Sequence, residues 1–382
     1  MGTTIAEIPD DCLAMIVRLL NNWEDLNAFS LTCQRWLRVD SSTRGSLRLR
    51  CIYTPEASED YIKYLPRLLA RFTHLSSISL AGCTKLTDHG LASLSLNGSR
   101  LQALCLDLCL GLTDSGVANI SAGCPNLTYI SLYRCNITDT GLRVLAESCK
   151  SLEHVNLSCT TVTDTGLEAL SSGCPSLTTL VITSCTGIRG YGLRHCGELA
   201  LLEADSCRFS PEGLAHAVSG GSLEYLNLSS PRGWTGGDQL GSIGLRCSSL
   251  RYLNLRLCRF VGDESVCAIA KGCTRLKEWN LGVCHGVGVL GWRAIGTDCL
   301  NLEILHVNRC RGLCDDGLRA LRDGCKRLSV LHISWCRQVT NAGLESFKLA
   351  RGGVEVRRIE SVTLLGLNEL LCERKRLASC AP

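Results

Sequence analysis

The chain has 382 residues, of which 45% are hydrophobic and only 5% aromatic, and its formal net charge is +4. This apolar fraction excludes a wholly disordered chain, and the length predicts about two or three domains. The 40 Lys and Arg residues nearly balance the 36 Asp and Glu residues, and no long run of one sign occurs, so a nucleic-acid-binding surface is not indicated.

The sequence contains no stretch of about 18 uncharged apolar residues, which a membrane-spanning helix needs. Acidic residues precede the first basic one, which is unlike a secretory signal. We therefore expect a protein of the nucleus, the cytoplasm or both, with no membrane contact. The 26 cysteines are then expected to be reduced thiols rather than a disulfide framework.

Residues 1–45 predict a small helical module. Pro9 suits the first turn of a helix, and Asp10 and Asp11 lie at its positive end. An apolar face at helical spacing follows, formed by Leu13, Ile16, Val17 and Leu20. Two further short helices are predicted, the first after Asp25 and the second from Cys33. A module of this size buries little surface alone, so it needs a partner or the rest of the chain.

The hydrophobic-Pro start, the amphipathic helix, the Asp25-Leu26 step and the Cys33-x-Arg35-Trp36 ending together resemble an F-box. That family binds the Skp-type adaptor of a cullin-RING (SCF) ubiquitin ligase. The resemblance implies an adaptor-binding set, at adaptor-facing or core positions, of Ile8, Pro9, Leu13, Ile16, Leu20, Leu26, Leu31, Cys33 and Trp36. Trp23 and Thr32 depart from the family pattern, and the alternative is a generic helical cap over the repeats that follow.

Residues 46–71 are predicted as a linker and a cap. Pro55 to Asp60 would form the link. The apolar residues predicted to cover the first repeat are Tyr64, Leu65, Leu68, Leu69 and Phe72.

From residue 72 to residue 347 one template of about 26 residues returns eleven times, LxxLxLxxC followed by a turn, TDxG and LxxL. In one copy the alternation of Leu104 and Leu106 predicts a short strand, and Val117 and Ile120 predict the buried stripe of a short helix. Such a unit cannot bury its own core, so the copies must stack.

The template resembles the cysteine-containing leucine-rich repeat. Cysteines recur after the strand, as Cys109 and Cys135 do, and at the end of the helix, as Cys124 and Cys149 do. The fold class implied is α/β: an all-α F-box, then a curved leucine-rich-repeat solenoid with parallel strands on the concave face and short helices on the convex face. The whole chain, including its length and the Leu132-Tyr-Arg-Cys135 and Gly262-Asp-Glu-Ser265 units, most resembles the plant F-box/LRR-repeat protein 12 group. Residues 348–382 are predicted as a C-terminal cap and tail, with a last strand near Val354, Val356, Ile359 and Val362.

The sequence offers only weak matches to nucleotide-binding, metal-binding or catalytic motifs. Gly286, Gly288 and Gly291 match GxGxxG, but the last two fall on the Thr and Gly places of the repeat, which argues against a nucleotide site. No CxxC occurs, and His195 beside Cys196 is only a sequence neighbour, so neither a metal site nor a catalytic thiol is predicted. We expect no cofactor and no enzymatic activity in the chain itself.

The concave face is the predicted site for a protein substrate, because Tyr, Trp and Arg dominate binding hot spots and are concentrated in its C-terminal half. The predicted set is Tyr225, Tyr252, Asn254, Arg256, Glu278, Asn280, His306, Asn308, Arg309, His332 and Trp335. The sequence thus predicts the substrate-recognition subunit of an SCF-type E3 ubiquitin ligase, joined through the adaptor to cullin and RING subunits. Two alternatives stay open, a small-molecule (hormone-like) receptor that uses the same face, and a repeat scaffold without ubiquitin chemistry.

Overall fold

The computed structural model describes residues 8–20, 22–49, 57–234, 239–359 and 364. The chain divides into two compact units, Met1–Thr160 and Thr161–Pro382, and each is described by itself. In these described ranges no helix combines the length and the apolar character that a membrane crossing requires.

The first unit begins with three helices and continues with alternating strands and helices. Its elements are α1 (Asp10–Leu19), α2 (Trp23–Leu31), α3 (Gln34–Thr43), β1 (Ser46–Arg48), α4 (Ala57–Arg71), β2 (Ser77–Ser79), a 3₁₀ turn (Asp88–Leu91), α5 (Ala92–Asn97), β3 (Ala103–Cys105), α6 (Asp114–Gly123), β4 (Tyr129–Ser131), α7 (Asp139–Ser148) and β5 (His154–Asn156). Strands β1–β5 pair in parallel and in chain order.

The second unit repeats the same alternation. Its elements are α8 (Asp164–Gly173), β6 (Thr179–Val181), a 3₁₀ turn (Tyr191–Leu193), β7 (Leu201–Glu203), α9 (Pro211–Ala217), β8 (Tyr225–Asn227), α10 (Gly241–Arg246), β9 (Tyr252–Asn254), α11 (Asp263–Gly272), β10 (Glu278–Asn280), α12 (Val289–Asp298), β11 (Ile304–His306), α13 (Asp315–Gly324), β12 (Val330–His332), α14 (Asn341–Ala350) and β13 (Glu355–Arg357). Strands β6–β13 are parallel and also follow chain order.

The predicted alternation of a short strand, a turn and a short helix is confirmed, with one repeat in which the helix is replaced. In the copy used above, Leu104 and Leu106 on the strand side and Val117 and Ile120 on α6 are fully buried. The middle residue of every three-residue strand therefore faces the helices, while the first and third residues face away from them. Where the repeat is shortest in sequence, between Leu177 and Leu199, the helix shrinks to the 3₁₀ turn Tyr191–Leu193.

A strand precedes the predicted repeats and another follows them; the first was not predicted, and the second lies where a last strand was predicted. β1 lies inside the segment predicted as a linker and pairs with β2, so the ladder begins before residue 72. α4 covers the cap segment with Leu65, Leu69 and Phe72 buried, whereas Tyr64 is exposed. At the other end β13 includes Val356, while Val362 and residues 55–56 of the predicted link lie outside the described residues. The domain limits themselves stay a prediction.

The cysteines after the strands form a ladder of hydrogen bonds between neighbouring repeats. The thiol of Cys135 donates to the carbonyl of Leu106 at 3.1 Å, and the thiol of Cys310 donates to Leu281 at 3.0 Å. Burial raises the pKa of Cys135 to about 12, so these groups stay protonated thiols. Cys83 is the exception in this column, because it is disulfide-bonded.

The aspartate of the TDxG motif joins one repeat to the next. Asp114 accepts hydrogen bonds from the backbone N–H of Thr138 at 2.8 Å and from its hydroxyl at 2.5 Å. The Thr138 hydroxyl in turn caps α7 by accepting from the N–H of Thr140. The threonine thus caps its own helix, while the aspartate satisfies the helix start of the following repeat.

Candidate functional site

The three N-terminal helices share a small apolar core of their own. Its buried members are Leu13, Val17, Leu26, Phe29 and Val39. Ile8, Leu20 and Trp36 pack against this core and are partly buried, and the Trp36 ring stacks on Phe29 at 4.4 Å between centroids. The predicted adaptor-binding set therefore divides, because Leu13 and Leu26 hold the module together instead of facing a partner.

A second group of apolar side chains on this module is exposed. Of the predicted set, Pro9, Ile16, Leu31 and Cys33 face solvent, with Leu31 84% exposed. Met15 and Leu19 are also exposed, at 61% and 75%, and the sequence prediction omitted them. Met15 and Leu19 are four residues apart on α1 and lie beside the predicted apolar face. This helical spacing is the sequence signal that could have identified them. Several exposed apolar side chains on one small helical module make it a candidate protein-binding surface.

A buried ion pair fixes α3 against α2. Asp40 is fully buried, and its carboxylate accepts from Arg44 Nε at 2.9 Å and from the Ser30 hydroxyl at 3.1 Å. The same guanidinium donates to the carbonyl of Leu26 at 3.1 Å. These contacts thus fix the relative positions of α2 and α3 beneath the exposed apolar side chains.

In the second unit, the first and third residues of strands β7–β12 form a surface that we call the strand face. Its first row contains Leu201, Tyr225, Tyr252 and Glu278, and its third row contains Glu203, Asn227, Asn254, Asn280, His306 and His332. Parallel register brings the predicted substrate residues of these strands side by side. The remaining predicted residues follow the strands: Arg256, Asn308, Arg309 and Trp335.

Most predicted residues of the strand face are buried, although they point away from the helices. Tyr225, Asn254 and His306 have 1%, 0% and 0% of their surface exposed, and Tyr252, Glu278, Asn280, Asn308 and His332 are buried too. Trp335 and Arg309 are exposed, and Arg256 is intermediate. Trp335 and Arg309 also have left-handed backbone angles, φ 58° and 60°, at the turn that follows each strand.

Two carboxylates organise the polar part of the strand face. Glu203, which the predicted set leaves out, accepts from the Tyr225 hydroxyl at 2.7 Å and from the Asn227 amide at 2.5 Å. Burial, opposed by these hydrogen bonds, raises the pKa of Glu203 to about 7. Glu278 lies 2.9 Å from Nε2 of His306, whose ring stacks on His332 at 4.2 Å.

The asparagines of the third row have a local structural task. The Asn254 side-chain oxygen accepts from the N–H of Arg256 at 3.1 Å, and that of Asn280 accepts from Gly282 at 2.9 Å. These contacts close the turn after each strand, so the amide oxygens are already used. Asparagine recurs here because its side chain mimics a backbone turn.

The glycines of the GxGxxG match are part of the repeat ladder. The N–H groups of Gly288 and Gly291 both donate to Asp263, at 2.6 and 3.0 Å. A side-chain carboxylate of the chain thus occupies the helix start at which a phosphate would bind. Among the described residues, no group of three or more His, Cys, Asp or Glu side chains is arranged to hold a metal ion.

Comparison with known proteins places these observations in a family. A family model for the Leucine Rich repeat matches residues 123–146, 148–171 and 246–270. A curated relative, F-box/LRR-repeat protein 12 of Arabidopsis thaliana, is 44% identical over 278 residues, which cover 69% of this chain and 70% of the relative. The chain belongs to the F-box/LRR-repeat protein family.

Two more distant similarities concern parts of this F-box/LRR-repeat protein or its fold alone. The Coronatine-insensitive protein homolog 1b of Oryza sativa subsp. japonica is 30% identical over 84 residues, 22% of this chain and 13% of that protein. A crystal structure of an internalin (inlF) from Listeria monocytogenes aligns with a TM-score of 0.56 at 16% identity, covering 94% of this chain and 100% of that chain. At that identity the internalin supports the repeat fold and nothing further.

Proposed function

We propose that this chain is the substrate-recognition subunit of an SCF-type E3 ubiquitin ligase. In this proposal the α1–α3 module binds a Skp-type adaptor, which links it to cullin and RING subunits, and the second unit holds a protein target. Membership of the F-box/LRR-repeat family supports the assignment. The proposal places the protein in the nucleus, the cytoplasm or both.

The single observation that carries the proposal is the exposed apolar surface of the N-terminal module. Met15, Leu19 and Leu31 are exposed although a complete core lies directly beneath them. Burying side chains of this size in a partner contributes roughly 1.5 to 3 kcal/mol each, which is enough for a specific complex when several act together. Such a surface is costly to leave in water unless a partner covers it.

The mechanism requires no reactive group in this chain. A receptor that holds a target lysine near the ubiquitin-loaded enzyme converts a bimolecular transfer into an effectively unimolecular one. Many of the thiols have pKa values raised by burial, as Cys124 has, to about 12, which makes them poor nucleophiles. We therefore assign binding residues and no catalytic residue.

The adaptor contact can be tested by co-purification of the full chain with a Skp-type adaptor. Leu19→Asp and Leu31→Asp place charge on the exposed surface without touching the buried core, so each is expected to weaken adaptor binding at least tenfold. Leu96→Asp is the matched control, because Leu96 is an 85% exposed leucine on α5. Undiminished adaptor binding by both surface variants, with unchanged melting temperatures, would contradict the proposal.

Target capture needs a second measurement. Proximity labelling with the Leu19→Asp chain, in which captured targets are not passed on, is expected to enrich target proteins over the wild type. Adding Trp335→Ala, which removes a 77% exposed aromatic side chain, is expected to reduce that enriched set. An enriched set that is unchanged by Trp335→Ala would remove this residue from the proposed substrate surface.

A further inference from the structure

The strand face carries an apolar cluster that the repeat geometry alone does not explain. Tyr129 on β4, Tyr225 on β8 and Tyr252 on β9 hold the same place in their strands. Tyr129 is 38% exposed, as the first residue of a strand should be, but Tyr225 and Tyr252 are only 1% and 3% exposed. Something beyond the strands themselves covers the two later tyrosines.

That cover includes Leu364 of the same chain. Leu364 is 3% exposed and packs in a cluster with Leu201, Tyr225 and Tyr252, separate from the core between strands and helices. It follows β13 in sequence, yet it lies over β7–β9, four or more strands earlier in the ladder. The carbonyl of Ile359 is 3.1 Å from Nδ1 of His332, so the chain after β13 already faces this surface at β12.

The surroundings of the cluster are polar and suited to a peptide. Glu203 and Glu278 lie on the strands that carry the cluster and on the next one. In the part of the chain that the structure describes, Nδ1 of His306 and Nε2 of His332 are buried without a hydrogen-bond partner. A surface can bind an extended peptide segment when it offers an apolar contact for one side chain and hydrogen-bonding groups for the peptide backbone. These residues provide both.

We propose that Leu201, Tyr225 and Tyr252 form a pocket for a peptide segment that inserts a leucine-sized aliphatic side chain, and that Leu364 fills this pocket in the free protein. The protein target then competes with Leu364 for the pocket. This inference rests on the proposed function, since it names the substrate class of the same surface, an aliphatic anchor in a peptide segment.

The contact of Leu364 with the pocket is strong enough to keep the pocket filled in the free protein. It is also weak enough for a target side chain to replace Leu364. Burial of one leucine side chain changes an equilibrium by roughly 10- to 100-fold. A target that adds contacts around the same anchor exceeds that factor and displaces the chain's own leucine. The wild-type protein therefore binds an anchor peptide more weakly than a variant whose pocket is vacant.

The test uses a fluorescent synthetic peptide of residues 358–370 of this chain and fluorescence anisotropy with the full-length protein. The Leu364→Asp chain cannot bury its own anchor, so it is expected to bind the peptide about 10-fold or more tightly than the wild type does. The same peptide carrying Leu364→Asp is expected not to bind. Leu349→Asp is the matched control chain, because Leu349 is an 85% exposed leucine on α14, and it should behave as the wild type does.

A pocket variant completes the design. Leu201→Ser in the Leu364→Asp background removes part of the apolar floor and is expected to abolish the gain in peptide affinity. Equal peptide binding by wild-type and Leu364→Asp chains, or a gain that survives Leu201→Ser, overturns the proposal. So does unfolding of the Leu364→Ala chain, since it would make Leu364 a structural core residue. No adaptor takes part, so failure of the ligase assignment and failure of the anchor site are separate results.

Discussion

Asp40 shows how one buried charge can organise a small helical module. Its carboxylate is fully buried and is neutralised by Arg44, which also bonds to the carbonyl of Leu26 and the side chain of Asn27. The guanidinium lies 5.2 Å from the centre of the Phe72 ring. The sequence predicted the apolar members of this module but not the ion pair, because Asp and Arg four residues apart are common on exposed helices.

Removal of Asp40 should therefore destabilise the module strongly. Asp40→Ala leaves the Arg44 charge buried and unpaired, so we expect the free energy of unfolding to fall by about 3 to 5 kcal/mol. Urea denaturation followed by circular dichroism measures this change. Asp316→Ala is the control, since its exposed pair with Arg319 should contribute less than about 1 kcal/mol. A loss below that of the control would show that the pair does not frame the module.

Glu203 should make stability depend on pH. Its pKa is raised from an ordinary value of 4.5 to about 7, chiefly by burial and also by the charge of Asp205, while hydrogen bonds from Tyr225 and Asn227 oppose the rise. Between these two pH values the folded state keeps a proton that the unfolded state has released. The contribution of Glu203 to the free energy of unfolding is therefore fully present below pH 4.5. As the pH rises from 4.5 to 7, this contribution falls by up to about 3 kcal/mol.

The contribution of Glu203 can be isolated by substitution. Glu203→Gln retains an acceptor for Tyr225 and Asn227 but does not titrate, so the decline in stability between pH 4.5 and 7 should become shallower than in the wild type. Thermal unfolding at several pH values measures the slope. Parallel curves for the two proteins would show that Glu203 ionises normally in the folded state.

Several helices are joined to the preceding repeat by an aspartate and a glycine that act together. A Cβ added to Gly141 would clash with Oδ1 of Asp114, the atom that accepts from the N–H of Thr138. The same pairing recurs for Gly116 with Asp88. The glycine of TDxG is thus required by a carboxylate one repeat earlier and not by its own backbone angles.

This coupling predicts non-additive substitutions. Gly141→Ala should cost about 1 to 3 kcal/mol by overpacking, and Asp114→Ala about 1 to 3 kcal/mol by leaving helix-start donors unpaired. The double variant should lose less than the sum, because the alanine methyl then enters space that the carboxylate vacated. Gly353→Ala, with no atom within 4 Å of the added Cβ, is the control. Additive losses in urea denaturation would refute the pairing.

The strands and helices of the repeats could be predicted from sequence because leucine alternation and helical spacing act locally. The strand β1 could not, because Ser46–Arg48 lacks the template and is a strand only through pairing with β2. The left-handed turn residues, such as Leu108 and Trp335, carry no glycine signal. Leu364 packs on Tyr225 and Tyr252 of the strand face, and no local sequence pattern relates it to them.

Across the whole molecule, cysteine is the most unusual feature of the composition, and the repeat accounts for most of the cysteines. Along the ladder, a thiol fits the narrow interior turn and reaches the carbonyl of the preceding repeat, as Cys284 does to Leu255 at 3.1 Å. Burial raises the pKa of Cys284 well above its usual range. A small, weakly polar donor suits a position that a larger polar side chain could not fill without an unpaired group.

Thiol reactivity should therefore report the folding of the entire chain. In native buffer, N-ethylmaleimide should label the exposed Cys12 and Cys33 within minutes, because only an accessible thiol can form the attacking thiolate. The buried Cys109, Cys284 and Cys310 should be labelled only as denaturant unfolds the repeats, so that their labelling follows the circular dichroism transition. Peptide mass spectrometry after a timed quench measures each site. Rapid labelling of the ladder cysteines in native buffer would mean that the repeats open locally and that the thiol ladder contributes little to their stability.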